Sequence, residues 1–269
     1  MTAIHLATEG TETGVLLRED AGGIATLTLN RPDQYNALSA ALLAALDAAL
    51  HALANDKSIR VVIIAGAGKA FCAGHDLKEI HEHADPAFAK DVFERCRQLM
   101  TALTRLPQPV IARVHGPAYA AGCQLVAQCD LAVAVTDARF ATSGVNYGVF
   151  CSTPGVPLSR NIPRKLAMEM LLTGDPIDAA TALARGLVNR VVPANQLDAE
   201  VQRLAQSIIA KSPGVVAAGK KVFYQQVEEA MEQAYGHATA AMVESVRTKD
   251  GKEGIAAFTE KRKPKWKGK

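Results

Sequence analysis

The stretch that most narrows what this chain can fold into runs from Val114 to Asp130. An apolar run, Val110–Val114, stops at Gly116-Pro117, the punctuation expected at the end of a buried strand. The small residues Ala118, Ala120, Ala121 and Gly122 follow, and Leu125 and Val126 then take the inward positions of a helix. A strand, a tight turn of small residues and a helix leave a helix N-terminus that a ligand can approach. Its backbone N–H groups have no intrahelical partner, and the helix dipole favours negative charge there. With no bulky side chain in the way, a developing oxyanion fits against those N–H groups. Taken alone, the same stretch is better described as a helix packed tightly on a sheet.

A second stretch weighs against that bland reading. Val61–Ala65 is a continuous, mostly β-branched run, the signature of a strand buried on both faces. Gly66-Ala67-Gly68 breaks it without the third glycine of a dinucleotide-binding loop. Lys69–Lys78 follows, again built from small residues, with Asp76 placed to cap a helix. Two such strand–turn–helix units can bring two backbone N–H groups to one carbonyl oxygen.

Elsewhere, Gly14–Leu17 and Ile24–Leu29 read as a hairpin around Asp20–Gly23, and Ser39 as the N-cap of a helix through Asn55. Asp85–Leu106 reads as a long helix ended by Pro107 and Pro109. Leu131–Val135, Arg139–Ala141 and Val188–Val192 are strand candidates, and Pro163–Leu172 and Asp178–Arg185 are helices. From Gln196 the chain reads helical, with breaks near Ser212-Pro213-Gly214 and Asp250-Gly251. Strands alternating with helices, then helices alone, argue for an α/β core over residues 1–195 and a helical region over 196–269.

Composition bounds the function classes. An apolar content of 49% and a charged content of 21% are those of an ordinary globular protein, and a net charge of +3 is too small and too dispersed for nucleic-acid binding. No apolar run reaches the length of a membrane span. Five cysteines without CxxC spacing suggest neither a disulfide frame nor a zinc site, so a reducing compartment is expected. Residues 1–20 carry four carboxylates and one arginine, unlike a secretory signal or transit peptide, which leads to an expected cytoplasmic location.

At this point the chain resembles a known family. Phe71–Leu77 together with Val114–Asp130 is similar to the signature of the crotonase (enoyl-CoA hydratase/isomerase) superfamily. The resemblance extends through Leu29–Pro32, Asn36–Leu38, Leu172–Gly174, Ala184–Val192 and Gly254–Arg262, collinear over nearly the whole chain. It implies a spiral of ββα turns, a C-terminal helical region that builds a trimer or a dimer of trimers, and a coenzyme A thioester as substrate or ligand. By position it implies that the oxyanion-hole N–H groups belong to His75 and Ala121. Ala73, His75, Asp76 and Leu77 would line the pantetheine and acyl entrance. Phe258 and Lys261 would lie near the adenine and phosphate end, supplied by the same or a neighbouring protomer. Asn146, Cys151 and Ser152 fall where the family lines its acyl pocket.

The sequence departs from that pattern where the chemistry matters. Hydratases of this family add water with two glutamates, whose positions here are Gln124 and Gly144. An amide accepts no proton near neutral pH, and glycine has no side chain. General acid–base assistance contributes roughly 10²–10⁴-fold, so ordinary hydratase activity is not expected. A silent acyl-CoA binder, a decarboxylation or a thioester hydrolysis remain as alternatives.

Several residues are weighed against plainer roles. His75 is an acid–base candidate, although the family uses its backbone N–H. Cys151 as nucleophile needs a base and a lowered pKa, against a buried packing thiol. His75, His81 and His83 lack the carboxylate or cysteine that would complete a metal site, and a solvated helix face is the simpler account. Gly219-Lys220-Lys221 reads as an exposed helix segment, and Lys261–Lys269 as a frayed basic tail rather than a single-strand binder.

Overall fold

The computed structural model describes residues 14–83 and 85–268. Strands β1 (Leu16–Ala21) and β2 (Ile24–Leu29) form a hairpin that turns at Gly22-Gly23, both with positive φ, and helix α1 (Ala40–Ala54) follows. Strand β3 (Val61–Gly66) leads to α2 (Leu77–Glu82) and α3 (Pro86–Arg105). Strands β4 (Val110–Val114) and β5 (Ala118–Tyr119) precede α4 (Ala121–Gln128), and β6 (Leu131–Val135) and β7 (Arg139–Ala141) lead to α5 (Ser152–Asn161) and α6 (Arg164–Thr173). Then come β8 (Ile177–Asp178), α7 (Ala179–Ala184), β9 (Arg190–Val192) and the helices α8 (Leu197–Ile209), α9 (Pro213–Gln226), α10 (Met231–Arg247) and α11 (Lys249–Thr259).

The larger sheet has the order β1-β2-β3-β4-β6-β9 and is parallel except for the β1–β2 hairpin. Ile24 pairs with Val61, Val62 with Val110, and Ile111 with Leu131. The first five residues of β3 are buried, as expected of a central parallel strand covered on both faces. A smaller sheet, β5-β7-β8, sets Ala118 beside Phe140 and carries the start of α4. This mixed α/β architecture is the one expected. Ser39 caps α1 by accepting the Leu42 N–H (3.2 Å), and Asp76 caps α2 by accepting that of Glu79 (3.2 Å). Helix α8 lays Leu197, Val201 and Ala205 into the same core as the sheet.

Three local expectations need correction. Helix α5 carries Pro154 and Pro157, which hid it in the sequence; Pro154 sits in its first turn, where a missing N–H costs nothing. The last break falls at Thr248, which caps α11 through the Gly251 N–H, and a further break separates α9 from α10. The tail through Gly268 is docked rather than frayed. Trp266 donates its indole N–H to the Ala210 carbonyl (2.8 Å), and the buried Asp250 accepts the N–H groups of Lys267 and Gly268.

Lys220 is the other correction: its side chain is buried. No apolar residue of α9 or α10 is buried within the chain, so apolar packing alone does not hold them. Lys220 Nζ donates to the carbonyls of Leu103 (2.8 Å) and Gln108 (3.0 Å) and to the Asp130 carboxylate (2.6 Å). Asp130 also accepts from the Tyr224 hydroxyl (2.8 Å) and the Val110 N–H (2.6 Å). Burial lowers the Lys220 pKa while Asp130 opposes the shift. Removing one partner leaves the other charge uncompensated. Lys220→Met is expected to destabilise the protein by about 3–5 kcal/mol in urea unfolding, whereas Met at the neighbouring exposed Lys221 changes it by less than about 0.5 kcal/mol.

Candidate functional site

The two glycine-containing loops after β3 and before α4 are fastened to each other. The Pro117 carbonyl accepts the N–H groups of Phe71 (3.0 Å) and Cys72 (3.2 Å), and the Cys72 carbonyl accepts that of Tyr119 (2.9 Å). Their approach is too close for side chains. A Cβ on Gly122 would lie 2.1 Å from the Cys72 carbonyl oxygen, and one on Gly74 would lie 2.8 Å from Ala120 Cβ and 3.2 Å from the Ala121 nitrogen. Ala120 holds φ +46°, a conformation strained for a residue with a Cβ, and its N–H is anchored on the Ala141 carbonyl (2.8 Å).

A third segment props the first loop. The fully buried Asn36 donates its side-chain amide to the carbonyls of Ala67 (2.8 Å), Ala70 (2.8 Å) and Phe71 (3.2 Å), and its side-chain oxygen accepts the Arg31 N–H (2.9 Å). Leu38 donates its N–H to the Gly74 carbonyl (2.7 Å) and accepts that of Asp76 (3.2 Å). Arg31 reaches the Asp76 carboxylate (2.8 Å), which holds Asp76 below the usual carboxylate range against the effect of burial.

This scaffold leaves the backbone N–H groups of His75 and Ala121 with no protein acceptor among the described residues. Ala121 is the first residue of α4, so the helix end adds its partial positive charge. The arrangement can hold an anion or polarise a carbonyl. The His75 imidazole packs edge-on against Phe93 (4.9 Å between ring centroids). Burial lowers its pKa to about 4, weakly opposed by the Leu38 backbone, so the ring is neutral at physiological pH. Neither ring nitrogen meets hydrogen-bond geometry among the described residues.

Gln124 and Gly144, the two positions expected to correspond to the family's glutamates, differ from each other. Gln124 is buried in the first turn of α4 with its side-chain oxygen unpartnered. Gly144 leaves no room for a side chain: a Cβ there would lie 2.4 Å from the Val149 carbonyl oxygen and 2.7 Å from Cys151 Sγ. Cys151 Sγ accepts the Gly144 N–H (3.2 Å), and burial raises the thiol pKa, which suits packing and not nucleophilic attack.

Of the other residues singled out, Asp76 lies beside the N–H pair but its carboxylate is committed to Arg31 and to capping α2. Ala73 and Leu77 are exposed at the rim. Phe258 stands 86% exposed on α11, with Lys261 just beyond it, and no hydrogen bond links either to the two loops. A wide cleft of about 1550 Å³, lined by Arg160, Met168, Phe223 and Tyr224, opens at the opposite, C-terminal end of α4 and includes neither His75 nor Ala121. Among the described residues no group of three metal-ligating side chains is found, and no helix is long and apolar enough to cross a membrane. Sequence reasoning missed the role of Asn36, although it lay in a recognised motif.

Residues 19–269 match the family described as enoyl-CoA hydratase/isomerase, and the chain belongs to this crotonase-fold family. It is similar to the protein named enoyl-CoA hydratase domain-containing protein 3, mitochondrial, of Xenopus laevis, with 49% identity covering 91% of this chain and 83% of the relative. The human protein of the same name is 47% identical, over 91% of this chain and 80% of its own length. Two crystal structures agree. An enoyl-CoA hydratase of Mycobacterium smegmatis superposes with TM-score 0.92 at 53% identity, covering 94% of this chain and 98% of that one. The human domain-containing protein 3 superposes with TM-score 0.91 at 45% identity, covering 93% and 99%.

The expected cytoplasmic location is overturned by these comparisons, since relatives 43–49% identical from frog, mouse, rat, human and zebrafish are named mitochondrial. That expectation rested on residues 1–20, of which 1–13 lie outside the described residues, and on unpaired thiols. Unpaired thiols exclude a disulfide frame but do not identify a compartment.

The close loop approach gives a direct test. Gly122→Ala is expected to lower stability by at least about 2 kcal/mol in thermal or urea unfolding, because the obstructing atom is backbone. Gly219→Ala, in the interior of α9 with nothing within 4 Å of the added Cβ, should instead stabilise by about 0.5–1 kcal/mol.

Proposed function

We propose that this chain binds an acyl-coenzyme A thioester with the thioester oxygen against the N–H groups of His75 and Ala121, and that it does not carry out ordinary enoyl-CoA hydration. Family membership supports the ligand class, and the two unpaired N–H groups support the binding mode. The observation that carries the loss of hydration is the crowding at Gly144, where the Val149 carbonyl and Cys151 Sγ occupy the space that a glutamate side chain would enter. Gln124 replaces the other glutamate with an amide that cannot shuttle a proton. What survives is electrostatic: two donors in a fixed geometry at a helix N-terminus, where one donor typically contributes about 2.7–4 kcal/mol of transition-state stabilisation.

Ala73 and Leu77, both exposed, would line the pantetheine entrance, and Phe258 and Lys261 would meet the adenine and phosphate end across a protomer boundary. On this reading residues 1–195 form the thioester-binding core and residues 196–269 the association region, with trimers or dimers of trimers as the assembled state. The strongly exposed Met231, Tyr235, Met242 and Phe258 on α10 and α11 support it, since a lone protomer rarely leaves so many large apolar side chains in water.

Crotonyl-CoA hydration is expected at least about 10⁴-fold below that of an ordinary hydratase, alongside calorimetrically detectable binding of the same thioester. Gly144→Glu should not restore turnover. Hydration at an ordinary enzyme's rate would contradict the account, and binding with release of free coenzyme A would select thioester hydrolysis over a silent binder. Sedimentation equilibrium should give a mass near three or six protomers, and a monomer would refute the assigned association region.

A further inference from the structure

The two N–H groups of the site are aimed by different means. The Ala121 N–H is the first of helix α4, so the helix axis sets its direction. His75 precedes α2 in a segment with no helix or strand of its own and is joined to Leu38 by an isolated β-bridge. The direction of its N–H is therefore set from outside that segment.

The hydrogen bonds at the bridge form a relay. A trans peptide unit is planar, and its C=O and N–H point in opposite directions. The His75 N–H shares its unit with the Gly74 carbonyl, which accepts the Leu38 N–H at 2.7 Å. The Leu38 N–H in turn shares its unit with the Ala37 carbonyl, which accepts from Arg31 Nη1 at 2.6 Å. On the other flank, Asp76 donates its N–H to the Leu38 carbonyl (3.2 Å), so the His75 N–H is turned away from Leu38. Two planar units connect the Arg31 guanidinium to the unpaired His75 N–H.

The head of the relay is itself held. Arg31 Nη2 donates to the Asp76 carboxylate (2.8 Å), the Arg31 N–H to Asn36 Oδ1 (2.9 Å), and the Arg31 carbonyl accepts the Asn36 N–H (2.8 Å). The Arg31 side chain is only 17% exposed. Tyr35 and Asn36, which lead into Ala37, hold φ of +50° and +57°, strain that persists only where the surroundings over-determine the backbone. Hydrogen bonds in series polarise one another. The guanidinium draws charge onto the Ala37 oxygen, which makes the Leu38 N–H a stronger donor, and the same step across the Gly74 carbonyl strengthens the His75 N–H.

We propose that Arg31 is a positioning residue of the site, fixing the direction and raising the donor strength of the His75 N–H through the Ala37–Leu38 and Gly74–His75 peptide units. The inference rests on the thioester-binding reading above and gives the arginine a part in it that needs no contact with the ligand.

The test uses the intact protein at saturating carbonyl-¹³C-labelled butyryl-CoA, read by isotope-edited infrared difference spectroscopy, with affinity from calorimetry. In Arg31→Met the binding-induced downshift of the carbonyl stretch should shrink, and the affinity should fall about tenfold, the effect of one well-placed hydrogen bond. Arg31→Lys, which can still donate to the Ala37 carbonyl from a charged group, should recover part of the downshift. Melting curves establish that each variant is folded, and Arg31→Gln, with an uncharged donor and a reduced downshift expected, replaces Arg31→Met if the latter is not. Lys220→Met, which loses its anchor on Asp130 beyond the C-terminal end of α4, should keep the wild-type frequency. A full wild-type downshift in folded Arg31→Met or Arg31→Gln, or an equal reduction in Lys220→Met, overturns this inference and leaves the thioester-binding reading standing. A wild-type protein that binds without a downshift, or does not bind, overturns both.

Discussion

The contact on which the site depends is the one between the Cys72 carbonyl and the backbone at Gly122. Only a residue without Cβ permits it, since an added carbon would fall 2.1 Å from the oxygen. That closeness lets three inter-loop hydrogen bonds form between the 71–72 and 117–119 segments. It also sets the Gly74 backbone against Ala121, so that the N–H of the residue after Gly74 and the first N–H of α4 remain unpaired together. The positive φ of Ala120 is part of the same arrangement, and such strain persists only where the surroundings over-determine the backbone. Here the surroundings are the Ala141 carbonyl on one side and the packed loop on the other.

On the proposed reading, with Gln124 and Gly144 at the positions of the family's glutamates, this scaffold separates two functions that a hydratase combines. Polarising a thioester needs fixed donors and a helix end, both supplied by backbone. Moving a proton needs a side chain of suitable pKa, and among the described residues the three titratable candidates beside the N–H pair are not free for it. Asp76 is committed to Arg31, Cys151 is a buried thiol with a raised pKa, and His75 is held neutral in an apolar setting. The crowding around Gly144 is part of the fold, since the Val149 carbonyl and Cys151 Sγ occupy the volume a side chain there would need.

Much of this was legible in the sequence because it is local. Val61–Ala65 and Val110–Val114 read as buried strands and are buried, paired parallel to each other, and Ser39 and Asp76 cap helices as their residue types require. The α/β class and the family follow from motifs whose spacing is fixed by the loops themselves. What was hidden depends on distant partners. Lys220 reads as a surface lysine until Asp130, ninety positions earlier, is placed beside it. The basic tail reads as frayed because Asp250 and Ala210 are not its sequence neighbours. Asn36 sits in a recognised motif, but its threefold donation to the 67–71 loop is visible only when the loop has folded over it. Helix α5 escaped because its two prolines argue against a helix, although the first lies in the turn where proline is tolerated.

The central claim is that the N–H groups of His75 and Ala121 grip a thioester oxygen, and the carbonyl stretch of the bound ligand reports that grip directly. Isotope-edited infrared difference spectra of the protein with a carbonyl-¹³C-labelled acyl-CoA would isolate that single vibration. The account predicts a shift to lower frequency on binding, relative to the same thioester in water, as two fixed donors draw charge onto the oxygen. A bound thioester whose carbonyl frequency matches or exceeds its value in water would contradict it.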